Sequence, residues 1–202
     1  VERGIERVQA LVFETAEAFV RRPDAAPVLR WGLLYAALAA WSERDISALE
    51  LMYEGYLLHY RESRIVQSPV GDLETGLLAG DVFYARGLRL IATAGDVDAV
   101  VLLTRLMSTC SVLRSIGAPF EADDVLWASA TAGLVALSSE VPRADTVKVF
   151  DDVDAGLERG GGLDIAALAL AAAPRLRLPV PAPLLAELER AGDRAAAPRD
   201  DG

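Results

Sequence analysis

The chain has one cysteine and one histidine in 202 residues. A single cysteine, Cys110, excludes an internal disulfide framework and a multi-cysteine zinc site. It sits between Thr109 and Ser111 in a hydrophobic segment and reads as a small buried residue in a reducing compartment. Aromatic residues are few, at 6%, and runs of β-branched residues are short, which disfavours a sheet core. Basic residues are in deficit, with 20 Lys and Arg against 30 Asp and Glu. A net charge of −10 repels phosphate backbones and anionic lipid surfaces, so nucleic acid and a peripheral membrane role are disfavoured. No long hydrophobic run is present. The most apolar stretch, Trp31 to Trp41, is too short to cross a bilayer, and the mixed charges of Val1 to Ala10 do not resemble a signal peptide. The expected location is cytoplasmic.

What is abundant is Ala and Leu, and hydrophobic residues make up 52% of the chain. That composition favours packed helices. Ile5, Val8, Leu11, Val12 and Phe19 form a first helical stripe. Pro23 to Pro27 interrupts it, and Pro27 suits the first turn of a second helix reaching about Glu43. Ile46, Leu49, Tyr53, Tyr56, Leu57 and Tyr60 define an amphipathic third helix with Asp45 as its N-cap. Ser68-Pro69 and Gly71 mark a turn. A fourth helix spans about Asp72 to Ala94, with Leu73, Leu77, Tyr84, Leu88 and Ile91 on one face. Gly95-Asp96 separates it from a fifth, which ends at Ile116 before Gly117 and Pro119. A sixth covers about Ala122 to Glu140. Shorter helices are expected over Asp164–Ala173 and Pro183–Ala191. The expected organisation is one all-α domain over residues 1–192, an antiparallel helical bundle, followed by a disordered tail over residues 193–202.

Four segments carry a more specific signal. Ala26-Pro-Val-Leu-Arg30-Trp31 precedes an apolar run. Glu50 is followed in register by Leu57-Leu58-His59, and then by Tyr60-Arg61-Glu62-Ser63-Arg64. Leu77-Leu78-Ala79-Gly80-Asp81 opens a long helical stretch, and Ala130-Thr131-Ala132-Gly133-Leu134 lies within another. In this order they resemble the trans-isoprenyl diphosphate synthase family. The segment around Arg30 is similar to that family's Gly-Lys-Arg-x-Arg-Pro segment, with only Arg30 matching. The stretch from Glu50 to His59 is similar to the glutamate and Leu-x-His that precede its first Asp-rich motif. The segment ending at Asp81 resembles its Leu-Ala-Gly-Asp helix. The segment from Ala130 resembles its Lys-Thr-Ala-x-Leu segment, with Ala130 in place of the lysine. The matches extend over about half of the chain. The family's Phe-Gln-x-x-Asp-Asp motif has no clear counterpart.

The resemblance implies the family's helical bundle in truncated form, and a reaction in which Mg²⁺ held by two Asp-rich motifs stabilises a leaving diphosphate. Here Tyr60 and Arg64 stand where Asp-Asp-x-x-Asp places its helix-face carboxylates. A guanidinium ~5 Å from a divalent ion costs about 6–7 kcal/mol at an effective dielectric of ~20. The chain is therefore expected to bind no Mg²⁺ and to be inactive alone, with Mg²⁺ held by a catalytic partner. Asp151-Asp152-Val153-Asp154 superficially resembles an Asp-rich motif. It comes too soon after Thr131 and lacks the preceding Phe-Gln, so it reads as a solvated acidic stretch.

The implied function is that of a non-catalytic accessory subunit of a heteromeric polyprenyl diphosphate synthase making a quinone side chain, partnered by a full-length catalytic subunit. Arg30, His59, Arg61 and Arg64 are the candidate contacts to a prenyl diphosphate. His59 otherwise reads as a partly buried structural side chain, and Arg61 and Arg64 as solvated cations pairing with Glu62 or a partner. Leu77, Leu78, Phe83, Tyr84 and Leu88 are the candidate partner interface. The alternative is a divergent, catalytically active trans-prenyltransferase with Glu62, Asp72, Asp81 and Asp151 in a rearranged metal site. A helical interaction protein with no isoprenoid link would leave the four ordered matches as coincidence.

Overall fold

A computed structural model describes residues 2–25, 29–39, 41–67, 73–118 and 120–138. The expected helices over Asp164–Ala173 and Pro183–Ala191, the tail over 193–202, Asp72 and the Asp151–Asp154 stretch lie outside the described residues. The protein is all-α, with six helices among the described residues: α1 (Glu2–Thr15), α2 (Trp31–Leu38), α3 (Glu43–Tyr60), α4 (Leu73–Ala92), α5 (Val97–Ser115) and α6 (Phe120–Leu137). None of them is long and apolar enough to cross a membrane. The chain divides into two compact units, Val1–Val100 and Val101–Gly202.

The first unit is built around α3. Every residue from Asp45 to Leu58 is buried, so α3 is a core helix and not the amphipathic one that its apolar stripe predicts. α1, α2 and α4 each pack on it, which covers its polar positions along with its apolar ones. Its N-terminus is capped by Ser42, whose Oγ accepts from the Asp45 backbone N–H at 3.3 Å. Asp45 is therefore not the cap. It lies in the first turn, where a carboxylate favours the positive end of the helix dipole. Its carboxylate accepts from Tyr35 Oη at 2.9 Å and Ser42 Oγ at 2.7 Å. These bonds tie the start of α3 to α2, which is shorter than its apolar run suggests and ends at Leu38.

α3 and α4 run antiparallel through a seam of glycines. A Cβ on Gly55 would lie 2.9 Å from the carbonyl oxygen of Gly80 and 2.8 Å from the Tyr84 ring. A Cβ on Gly87 would lie 2.6 Å from Met52 Cγ and 3.0 Å from the Ala48 carbonyl oxygen. The buried face of α4 is consequently Gly76, Ala79, Gly80, Phe83, Tyr84, Gly87 and Ile91. Leu77, placed on the core face by hydrophobicity, is exposed. Small residues rotate the helix because close backbone approach contributes more contact than one leucine side chain. An exposed ion pair between Arg86 and Glu14, 2.8 Å, links α4 to α1.

In the second unit α5 ends as its sequence predicts. Gly117 has φ +68°, the Ala118 N–H donates to the Leu113 carbonyl at 2.9 Å and the Gly117 N–H to that of Arg114 at 3.2 Å. This is the Schellman arrangement. Arg114 then reaches across the turn. Its Nη2 donates to Asp123 Oδ1 at 3.2 Å and its Nε lies 2.9 Å from Oδ2, while the guanidinium covers the Phe120 ring at 4.1 Å. Asp123 is fully buried. Cys110 is buried nearby, and burial, reinforced by the negative charge of Asp123, pushes its thiol well above the ordinary value of 9.0.

Four outcomes follow from this packing. Gly55→Ala forces α3 and α4 apart and should cost ~1–3 kcal/mol in urea unfolding. Gly95→Ala, at a positive φ of 75° with open space around it, should cost only ~1 kcal/mol of backbone strain. Cys110 should resist alkylation in the native chain and react on unfolding. Because its folded pKa is raised, its linked contribution to stability should fall as pH rises above 9.0, read as a declining urea midpoint that Cys110→Ala removes.

Candidate functional site

The most unusual chemistry of the described chain lies along the middle of α3. Glu50 and Glu54 are one helical turn apart, project to the same side, and are both fully buried. Two unpaired buried carboxylates would each cost several kcal/mol. The chain resolves this by ending α3 at Tyr60 and folding the next residues back along the helix. Arg61 is the C-cap, extended, with its N–H donating to the Leu57 carbonyl at 2.8 Å. Arg64 then lies between the two acids. Its Nε donates to Glu54 Oε2 at 2.8 Å and its Nη1 to Glu50 Oε2 at 3.0 Å.

One guanidinium against two carboxylates leaves an excess negative charge, which neutral donors absorb. Glu50 Oε1 accepts from the backbone N–H groups of Arg30, 2.7 Å, and Gly32, 2.8 Å, at the start of α2. Glu54 Oε1 accepts from the Arg64 backbone N–H at 2.9 Å and from Ser63 Oγ. Ser63 Oγ in turn accepts from the N–H groups of Ile65, 3.1 Å, and Val66, 2.8 Å. The segment after α3 is thus folded around one hydroxyl and one guanidinium. It continues into a single antiparallel bridge, Arg21 with Val66, flanked by Arg22 N–H to Ile65 O at 2.7 Å and Gln67 N–H to Val20 O at 2.8 Å. Burial pulls the Arg64 pKa down most strongly, but the charges and hydrogen bonds of Glu50 and Glu54 outweigh it, and the net direction is upward. Arg64 remains a cation.

Aromatic faces complete the cluster. Arg64 covers the Tyr53 ring at 5.0 Å. Arg30 covers Trp31 at 4.7 Å and Tyr53 at 5.7 Å, and its Nη1 donates to Tyr53 Oη at 3.0 Å. Tyr53 stacks on Tyr56 with centroids 5.9 Å apart, and Tyr56 meets Tyr60 at 5.5 Å. Cation–aromatic contacts of this kind hold guanidinium planes in place.

The four candidate diphosphate contacts do not share one environment. Arg30 and Arg64 meet at Tyr53. Arg64 is committed to Glu50 and Glu54 and not to Glu62, which pairs instead with Arg22. Arg64 also does not share a helix face with Tyr60, because α3 ends at Tyr60. Arg61 is exposed. His59 stacks on Tyr84 at 5.1 Å, and its Nε2 lies 3.2 Å from Asp81 Oδ1. The nitrogen is not aligned for a hydrogen bond to that oxygen. Of the interface candidates, Leu77 and Leu78 are exposed, Leu88 is half-buried, and Phe83 and Tyr84 are buried within the unit. Of the alternative set of acids, Glu62 is held by Arg22 and Asp81 lies beside His59. Ala130 and Thr131 are fully buried within α6, and Thr131 Oγ1 donates to the Trp127 carbonyl at 2.9 Å.

The segment from Tyr60 to Arg64 carries two guanidinium groups, those of Arg61 and Arg64. Guanidinium groups have no lone pair to offer, and the oxygens of Glu50 and Glu54 are already occupied by N–H and O–H donors. Among the described residues no three His, Cys, Asp or Glu side chains converge on a common point. In the sequence Glu54 carries no motif, and Glu50 marks only the register of the resemblance. The signal that could have found them is two acids at i and i+4 inside an otherwise apolar stretch, which requires a buried cation nearby.

Comparison with protein-family models, with curated proteins and with solved structures returned no match.

Arg64→Met strands Glu50 and Glu54 without their cation and should destabilise the first unit by about 3–5 kcal/mol. Glu50→Gln/Glu54→Gln/Arg64→Met removes all three charges together and should recover a substantial part of that loss. Urea midpoints of the wild-type, single-variant and triple-variant chains test the coupling.

Proposed function

We propose that this chain is a non-catalytic accessory subunit of a heteromeric polyprenyl diphosphate synthase, working in isoprenoid, quinone side-chain, biosynthesis. The observation that carries the reading is the segment after α3. In the resembled family the residues after Leu-x-His hold Mg²⁺ through aspartates. Here the corresponding residues run Tyr60-Arg61-Glu62-Ser63-Arg64, and Arg64 is built into the core by Glu50 and Glu54. A residue that the fold needs as a buried cation is incompatible with a dication in the same place.

Three further points support the reading. The four resembling segments fall at the start of α2, on α3, on α4 and on α6. The glutamate that opens the α3 segment, Glu50, anchors the backbone of the α2 segment through Arg30 and Gly32. On α6, where the family has a lysine on the allylic diphosphate, Ala130 offers neither charge nor exposure. A chain that keeps the scaffold and has no Mg²⁺ grip contributes by packing. It completes the bundle of a catalytic subunit, which holds the Mg²⁺, and helps to enclose the growing chain. Arg30 and Arg61 are the exposed cations among the four candidates, and the proposal assigns them the contact to a prenyl diphosphate or a partner.

The test is reconstitution. The chain alone, with Mg²⁺, an allylic diphosphate and isopentenyl diphosphate, should release no diphosphate. Mixed with the cognate full-length synthase it should co-purify and raise synthesis at least about tenfold. Turnover by the isolated chain, or neither complex nor gain in activity on mixing, would overturn the proposal.

A further inference from the structure

Four of the chain's five tyrosines lie in one row of ring contacts, and the row begins at a tryptophan. Trp31 meets Tyr53 edge-on with centroids 5.8 Å apart. Tyr53 stacks on Tyr56 at 5.9 Å, and Tyr56 meets Tyr60 at 5.5 Å. Packing alone does not require these residue types, because phenylalanine fills similar space without a polar atom that burial must satisfy. Indole and phenol rings differ from phenylalanine in giving up an electron readily, and every link from Trp31 to Tyr60 joins two such rings. Exposure gives the row a direction. Trp31 is 6% exposed, Tyr53 3% and Tyr56 1%, whereas Tyr60 is half-buried at the end of α3. An oxidised phenol becomes a neutral radical only where its proton can leave, and of the four rings water reaches Tyr60 most.

We propose that this row is a relay for one-electron oxidation, carrying an oxidising equivalent from Trp31 through Tyr53 and Tyr56 to Tyr60. The reactant is a one-electron oxidant of the class of the carbonate or azidyl radical. It takes one electron from the Trp31 indole and leaves as its anion. Tyr60 supplies one electron, which passes through Tyr56 and Tyr53 and restores the indole. The Tyr60 phenol releases its proton to water. The net change consumes the oxidant radical and the Tyr60 phenol, and gives the anion, a proton and the Tyr60 phenoxyl radical. Ascorbate or a thiol then returns a hydrogen atom to Tyr60 and resets the row. The relay spares the rings on which the buried cluster depends. Trp31 and Tyr53 hold Arg30, and Tyr53 also faces Arg64, so an oxygenated ring at either place would disturb the guanidinium planes beside Glu50 and Glu54. His59 stands between Tyr60 and Tyr84, with centroids 5.7 Å and 5.1 Å away. Imidazole is harder to oxidise than phenol, so Tyr84 lies beyond the end of the relay.

The inference does not rest on the accessory-subunit reading, because it is measured on the chain alone with neither partner nor prenyl substrate.

The test is pulse radiolysis of the full-length chain with azide, whose azidyl radical oxidises indole in preference to phenol at neutral pH. The indolyl absorption should decay into phenoxyl absorption with a first-order rate that does not change with protein concentration. Trp31→Phe should abolish this phase although Trp41 and Trp127 remain. Tyr60→Phe should abolish it too, and Tyr56→Phe should slow it by at least about tenfold. Tyr84→Phe should leave it unchanged. Each variant keeps an aromatic ring in place, and far-UV circular dichroism checks its fold. In the wild-type chain, which needs no variant to be read, peptide mass mapping after steady oxidation without ascorbate should find Tyr60 modified and Trp31 spared. A rate that scales with protein concentration, a phase that survives Trp31→Phe or keeps its full rate in Tyr56→Phe, or one lost in Tyr84→Phe would overturn the proposal. So would preferential modification of Trp31 in the native wild-type chain.

Discussion

Arg64 lies between two carboxylates that have no water to turn to, and the architecture of the first unit follows from that. Glu50 and Glu54 lie on the helix that every other element of the unit covers. An acid in that position is tolerated only if a cation comes to it with good geometry and if its remaining lone pairs find donors. Both conditions are met by backbone near α3. The residues after Tyr60 bring the guanidinium and the Ser63 hydroxyl, and the entry to α2 brings two N–H groups. The cluster is less a source of net stability than a device that fixes where those two segments run. The Arg21–Val66 bridge and the buried Ile65 and Val66 side chains hold the same path farther along.

The glycine seam plays the corresponding part on the α4 side. Gly55, Gly80 and Gly87 let α3 and α4 approach until backbone meets backbone. With the cluster and α2 also packed on α3, the helix has no face left for solvent. This is why His59, at the end of the seam, is fixed against Tyr84 beside Asp81. The same rotation of α4 that buries its glycines turns Leu78 and Val82 outward. Closeness inside and apolar exposure outside are two consequences of one helix orientation.

For function, the cluster decides which roles the segment after α3 can play. A guanidinium that is half of the fold's internal neutralisation cannot also serve as a mobile anion clamp. The three candidate arginines and the histidine therefore separate by environment. Arg64 belongs to the core, His59 to the helix crossing, Arg30 to an aromatic stack and Arg61 to the surface. The proposed accessory role needs only that the scaffold persist while the metal chemistry is carried elsewhere. A buried Arg–Glu network in that position is consistent with such a division.

Sequence alone determined the helical class, the turn at Gly117 and the places of most helices, because periodicity and glycine are local signals. By resemblance alone it also set arginine and tyrosine against the aspartates of that family's first Asp-rich motif. It did not determine which face of α4 is buried, since hydrophobicity favoured Leu77 while the small residues set the packing. Nor did it identify Ser42 as the cap of α3, because Asp45 offers the same chemistry three residues later and only the Tyr35 hydroxyl distinguishes them. Above all it did not pair Arg64 with Glu50 and Glu54. Those acids are fourteen and ten positions away, and Glu62 was the nearer partner. Which acid a cation meets is decided by the path of the chain after a helix ends, and that path was itself set by the acids already buried. Only the tertiary structure closes that loop, because the cost of an unpaired buried charge exists only once the helix has been covered.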